Sequence, residues 1–356
     1  METPKTIEKF LNRYNAKGTI KGYRSILKKY FTVIGKDPDT YFTTEQDYEN
    51  GVLAYWKSLS EHPPRTIKTS ISCVRMFLSE NDIELPVKFW RGIENRTKGS
   101  RAVTEDKIPT AQEFKRILSH ADVRGRAMFM TLLQSGMRIG ELAKLEIKDI
   151  DFTTTPTRIR IRAEVSKTGD QRYCFIGKEA TDMLKAYLEQ RPKYINASKN
   201  RVQTFNKYHK RRYIRTDNEE RVFPLDVSII RYSWNLLLKH AKLSDRDDRT
   251  KRHKMHPHVL RKYYRTHMNL NVPFDVVEAL LGHETYLAEA YRRYSIDQLA
   301  DMYLKGEKDV SIFESTSEEV KKLQVSDKEK GDEIQAMKAE ITELRLQILE
   351  MKSKVH

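Results

Sequence analysis

Apolar residues recur at steps of three and four through most of the chain, the signature of amphipathic helices. Ile67, Ile71, Val74 and Leu78 line one such face, and Tyr23, Leu27, Tyr30 and Ile34 line an earlier one. Pro63-Pro64 marks a turn between two of these helices. The pattern predicts a helical domain over residues 1–95. Residues 96–108 are polar, charged and aperiodic, as a linker should be. A helix start follows at once, because Thr110 and Glu113 have the spacing of a capping box.

From residue 109 to 305 the pattern stays helical, with one exception. Arg158, Arg160 and Arg162 alternate with Ile159, Ile161 and Ala163, a strand with one basic and one apolar face. Thr168, Gly169 and Asp170 offer a turn, and QRYCFI a returning strand, with Lys167 beside the tip. Residues 306–356 form a tail of another kind. Ile334, Met337, Ile341, Leu344, Ile348, Met351 and Val355 keep heptad spacing, which predicts a coiled coil over about 331–355. A single amphipathic helix packed on the preceding domain is the alternative. The fold class expected is mainly α with a small β-hairpin or sheet.

Charge narrows the partner. The chain carries a formal +16, but residues 306–356 hold nine Lys/Arg against twelve Asp/Glu, so the first 305 residues carry +19. Such an excess favours a nucleic acid through counterion release, although basic proteins also meet membranes and acidic partners. Residues 191–215 mix Lys and Arg with Tyr194, Phe205, Tyr208 and Tyr213. Lys210, Arg211 and Arg212, with the strand's Arg158, Arg160 and Arg162, are therefore candidate DNA contacts, a solvated basic loop being the plain alternative. No apolar run approaches the ~20 residues that span a bilayer, and METPKTIEKF lacks the apolar core of a secretory signal. A cytoplasmic, nucleoid-associated protein is expected.

Other chemistries lack their residues. Cys73 and Cys174 are isolated, so neither a disulfide framework nor a Cys-based zinc site is expected. No GxxxxGK loop or spaced carboxylate cluster prepares for nucleotide or Mg²⁺. The His253, His256 and His258 group is interrupted by Pro257 and flanked by cations, which speaks against a metal. No cofactor is expected.

What remains is a constellation. Arg138 follows the Ser135-Gly136 break in LLQSGMRIGEL and precedes Glu141 by three. HPHVLRKYYRTH sets His258 and Arg261 on one helical face, and ALLGHETYLAEAYRRYS supplies His283, Tyr291 and Tyr294. Arginine forks answer the negative charge that builds on phosphoryl oxygens, and a phenol can attack phosphorus if a base or positive field assists it.

SGMRIGELAKLEIKDID, the SKTG turn, HPHVLRKYY and LLGH followed by tyrosine together resemble the motifs of the tyrosine recombinases, the phage integrase family. The resemblance covers residues 109–305, with a looser likeness of layout over 1–95. It implies a site-specific recombinase that cleaves double-stranded DNA through a 3′-phosphotyrosyl intermediate, without metal or ATP. Arg138 and Arg261 would be the paired arginines, His258 the acid/base partner, Lys167 the proton donor to the 5′-oxygen, and His283 a phosphate donor. Glu141 would orient Arg138 or His258. Tyr291 would be the nucleophile, with Tyr294 the alternative. The helical domain would be a core-binding domain, closing with the catalytic domain as a clamp on DNA, and four protomers would pair two sites. The sequence departs from the family in having Lys262 where many relatives carry histidine, and eight rather than nine residues from His283 to Tyr291. YRRYSIDQLADMY resembles a variant among archaeal-type integrases. A type IB topoisomerase-like enzyme and a non-catalytic DNA-binding protein are the competing readings.

Overall fold

The computed structural model describes residues 3–99, 105–209, 219–248, 250–283 and 294–313, the side chains of 201–209 excepted. Lys210, Arg211, Arg212, Tyr291 and the heptad segment lie outside the described residues. The chain divides into two compact units that meet between Glu105 and Asp106, inside the segment expected as a linker.

The first unit contains α1 (Lys5–Leu11), α2 (Lys17–Ile34), α3 (Tyr48–Ser58), α4 (Pro64–Ser79) and α5 (Val87–Arg96). Pro64 sits at N1 of α4, where its fixed φ suits a helix start and its missing N–H costs nothing. Both apolar faces point inward as expected: Leu27 and Tyr30 of α2 and Ile67, Ile71, Val74 and Leu78 of α4 are buried. The core is aromatic. Phe31 meets Phe77 and Tyr41 edge-on, and the Tyr30 and Tyr41 hydroxyls share a 2.9 Å hydrogen bond.

In the second unit α6 (Ala111–Ser119) opens with the expected capping box. Then come α7 (Val123–Ser135), the one-turn α8 (Ile139–Leu142), β1 (Ile150–Asp151), β2 (Thr157–Ile161) and β3 (Arg172–Ile176). The strands form one antiparallel sheet in the order β1-β2-β3, with Ile159 opposite Cys174. The period of two holds, since Ile159 and Ile161 are buried while Arg158 and Arg160 are half-buried on the other face. The expected tight turn is instead a loop over residues 162–171, which carries Lys167 exposed.

The remaining helices are α9 (Lys178–His209), α10 (Val227–His240), α11 (His258–Met268), α12 (Phe274–Leu281) and α13 (Ile296–Gly306). Part of the basic stretch expected as a contact or a loop is the C-terminal half of α9. Helix α7 is buried almost throughout and packs against α9 and α11 at the centre of the core. Both cysteines are free and buried, and burial pushes each thiol up to about 12.

One boundary moves. The tail was expected to leave the catalytic domain at residue 306, but Val310, Ile312 and Phe313 are buried in its core. Glu179 of α9 accepts the backbone N–H groups of Ile312 and Phe313, each at 2.9 Å. Val310 ends a 3₁₀ turn (Glu307–Val310) and Ile312 and Phe313 follow it, so the three show no helical period. Among the described residues no helix is long and apolar enough to cross a membrane.

Candidate active site

Two helix ends build the site. Helix α7 stops at Gly136 (φ 61°) and α12 stops at Gly282 (φ 67°), both in the left-handed region that glycine adopts without penalty. Their last carbonyls have no helical partner and carry the negative end of each helix dipole. Guanidinium groups fill that role. Arg261, reaching from the second turn of α11, donates to the Gly136 carbonyl at 2.7 Å and the Leu281 carbonyl at 2.6 Å. Arg138 donates to the Gly282 carbonyl at 3.3 Å, and Arg172 donates through Nε to the Leu280 carbonyl at 3.2 Å. Three arginines from three distant stretches of sequence thus converge.

Arg138 is the N-cap of α8, and its backbone N–H donates to Glu141 at 2.8 Å. The three-residue spacing is therefore a capping interaction as well as an ion pair, the latter at 3.0 Å. Burial alone would raise the Glu141 carboxyl, but Arg172 and then Arg138 hold it below the usual carboxylate range. Arg261 is almost fully enclosed. Burial, then the charges of Arg138 and Arg172, pushes its pKa down to about 9, which leaves it protonated at neutral pH.

His258 begins α11, beside Arg261 and parallel to the His256 ring at 6.2 Å. Loss of water, then the charges of Arg261, His256 and Lys262, pushes its pKa down to about 4. His258 is exposed to solvent, and its lowered pKa leaves the imidazole neutral at pH 7 and able to accept a proton. A reaction that uses His258 as base should therefore persist below pH 6.5, where an ordinary histidine titrates, and fall only as the pH nears about 4. A pH–rate profile under single-turnover conditions checks this, and a midpoint at 6.5 that vanishes in His258→Gln would contradict it.

His283 follows Gly282, and its Nδ1 lies 2.6 Å from Glu278, whose other oxygen accepts from Arg265. The carboxylate fixes the ring and leaves Nε2, on its opposite side, for a further hydrogen bond. Tyr294 is half-buried against the core, one residue before the Ser295 cap of α13. Among the described residues no ion pair or hydrogen bond ties Lys167 to the arginines. Glu141 accepts from both the backbone and the side chain of Arg138, and among the described residues no hydrogen bond joins it to His258.

The strand arginines are already engaged. Arg158 pairs with Asp151 at 2.6 Å, Arg160 with Asp149 at 3.4 Å, and Arg162 with Glu146 at 2.7 Å. The face expected to be basic is largely neutralised by its own carboxylates. Among the described residues no cluster of His, Cys, Asp and Glu could hold a metal ion.

Arg172, Glu278 and Asp106 were missed by sequence reasoning. Arg172 shares the buried face of β3 with Cys174 and Ile176. A cation on the apolar face of a strand was the available signal. Glu278 similarly interrupts the apolar run VVEALL. Asp106, which accepts from Lys262 at 2.5 Å and lies 3.0 Å from His256, gave no signal.

A family model described as the phage integrase family matches residues 102–296. A tyrosine recombinase XerC of Treponema denticola is 29% identical over 54% of this chain and 60% of its own length. One from Halalkalibacterium halodurans is 29% identical over 52% and 55%, so the chain spans little more than half the length of these curated relatives. One from Bacillus pumilus is 27% identical over 80% of this chain and 89% of its own. Among solved structures, a lambda integrase dimer bound to a COC′ core site matches at a TM-score of 0.53 and 16% identity, covering 81% of this chain and 94% of that one. A lambda integrase tetramer bound to a Holliday junction matches at 0.52 and 16%, covering 79% and 75%. These structural likenesses establish the fold.

Proposed function

Because this chain belongs to the phage integrase family, we propose that it is a tyrosine recombinase that cuts and rejoins double-stranded DNA at specific sites. The observation that carries the reading is the meeting of Arg138 and Arg261 at the two helix ends, with His283 directly after one of them. In this reading the Tyr291 oxygen attacks phosphorus, its proton passes to His258, and the bond to the 5′-oxygen breaks. Lys167, on its exposed loop, protonates that leaving oxygen. Arg138, Arg261 and His283 bear the charge growing on the non-bridging oxygens, as a metal does in other phosphoryl transfers. The phosphotyrosyl ester keeps the phosphodiester energy, so a second 5′-hydroxyl can reverse the step without nucleotide hydrolysis.

The DNA would meet the +19 charge of the first 305 residues, including Lys210, Arg211 and Arg212. Arg158, Arg160 and Arg162 could join only by exchanging carboxylates for phosphates. The lambda integrase tetramer on a Holliday junction supports pairing of four protomers, with the heptad segment as an added contact, and DNA of the nucleoid is the natural location.

The test is covalent trapping on a nicked duplex bearing a site that the full chain selects from randomised DNA. The modified residue is then located by mass spectrometry. An adduct on Tyr291 is expected, and one on Tyr294 would move the nucleophile. A bound site that is never trapped would make the protein a DNA binder without chemistry. Efficient plasmid relaxation by a single protomer would favour the topoisomerase-like reading.

A further inference from the structure

Glu141 poses an electrostatic problem that Arg172 solves. A carboxylate 3.0 Å from Arg138 would cancel the charge that Arg138 has to show to a phosphate. Glu141, however, is shared. Its Oε1 accepts from Arg138 Nη1 at 3.0 Å and Arg172 Nη1 at 3.1 Å. Its Oε2 accepts from the Arg138 backbone at 2.8 Å and Arg172 Nη2 at 2.6 Å. All the acceptor positions of the carboxylate are thereby used. The side chains of Arg172 and Glu141 are 5% and 2% exposed, whereas that of Arg138 is 23% exposed. The buried pair is therefore neutral in sum, and the net positive charge of the triad falls on the one member that faces outward.

We propose that Arg172 is a positioning residue for the cleavage reaction: by neutralising Glu141 it leaves Arg138 oriented but still cationic toward the scissile phosphate. This deepens the recombinase reading and rests on it. Arg172 is also the first residue of β3, five positions beyond Lys167, and its Nε reaches the α12 terminus that precedes His283. The same side chain thus anchors the returning end of the lysine loop to the arginine cluster. A carboxylate left with Arg138 alone would close into an ordinary ion pair.

The sign of a double-mutant cycle separates this role from simple packing. In single-turnover trapping on the nicked duplex, Arg172→Gln should slow cleavage on the order of 30-fold or more, as expected for lost electrostatic preorganisation, with DNA affinity nearly unchanged. Adding Glu141→Gln should then restore roughly 10-fold of the loss, because it removes the charge that captured Arg138. A double variant no faster than the single one would overturn the proposal. So would an Arg172→Gln enzyme as fast as the original. If Arg172→Gln does not fold, Arg172→Lys keeps the charge without the fork. Cleavage within about 10-fold of the original is expected for it, and an inactive but folded Arg172→Lys would refute charge compensation. A second readout does not depend on cleavage. Inorganic phosphate should shield Arg138 from phenylglyoxal in the original chain and the double variant, but not in Arg172→Gln. An original chain that is shielded yet never trapped on DNA would end the recombinase reading while keeping the role of Arg172. Shielding that ignores Arg172 would end that role alone.

Discussion

Arg261→Lys is expected to slow DNA cleavage by about 10²–10³-fold, the loss that follows removal of one well-placed oxyanion donor. The reason lies in the fork. Arg261 spans the Gly136 and Leu281 carbonyls with its two terminal nitrogens, at 2.7 and 2.6 Å, while 4% exposed. An ammonium can meet one of these acceptors but has no rigid plane to bridge them. The abandoned carbonyl would cost about 1–3 kcal/mol of stability, so the thermal transition should fall as well. Arg261→Ala goes further, because both helix ends lose the cation that offsets their dipoles, an effect of up to ~2 kcal/mol in partly buried settings. Trapping under single-turnover conditions, read beside DNA affinity and thermal unfolding, measures the two losses separately. Cleavage of Arg261→Lys within a few-fold of the original would remove Arg261 from the phosphate clamp.

Gly136→Ala should destabilise the second unit far more than a single methyl group suggests. The backbone there has φ 61°, and left-handed geometry costs a residue with a Cβ about 1–2 kcal/mol. Space is lacking too. A Cβ would lie 2.6 Å from Tyr264 Cδ1 and 2.8 Å from Leu281 Cδ2, both in the core. Overpacking of that kind adds roughly 1–3 kcal/mol. For a unit of this size the sum lowers the melting temperature on the order of 10 °C. Gly140→Ala is the control, since Gly140 lies in α8 with nothing within 4 Å of a new Cβ. It should melt at or slightly above the original temperature, in keeping with the helix preference of alanine. Equal melting of the two variants would mean that the α7 terminus yields more than its packing implies.

The elements that sequence exposed are those fixed by local rules. The Thr110–Glu113 capping box, the apolar faces of α2 and α4 and the alternation in β2 each depend on residues within a few positions. The arginine cluster was legible in part for another reason: Arg138, His258, Arg261 and His283 sit in short motifs whose neighbours resemble a family. Arg172 escaped because its partner is distant in sequence, 31 positions away at Glu141. It is the only cation of β3, and nothing within a few positions of it points to Glu141. Val310, Ile312 and Phe313 were assigned to the tail because apolar residues at and after a 3₁₀ turn have no period to betray that they are buried. Arg158, Arg160 and Arg162 show the converse, since a run of cations does not reveal that Asp151, Asp149 and Glu146 already face them.

The anchoring of Arg261 by main-chain carbonyls bears on how such a site changes over generations. A cation held by a side-chain acid loses its partner to one codon change, and Glu141 is such a point for Arg138 and Arg172. Every residue type brings a carbonyl, so Leu281 can drift among residues that fit its packing without withdrawing the acceptor from Arg261. The inherited constraint passes from the identity of a partner to the path of the backbone. Along that path it concentrates on two residues with no side chain, Gly136 and Gly282, which set where the carbonyls point.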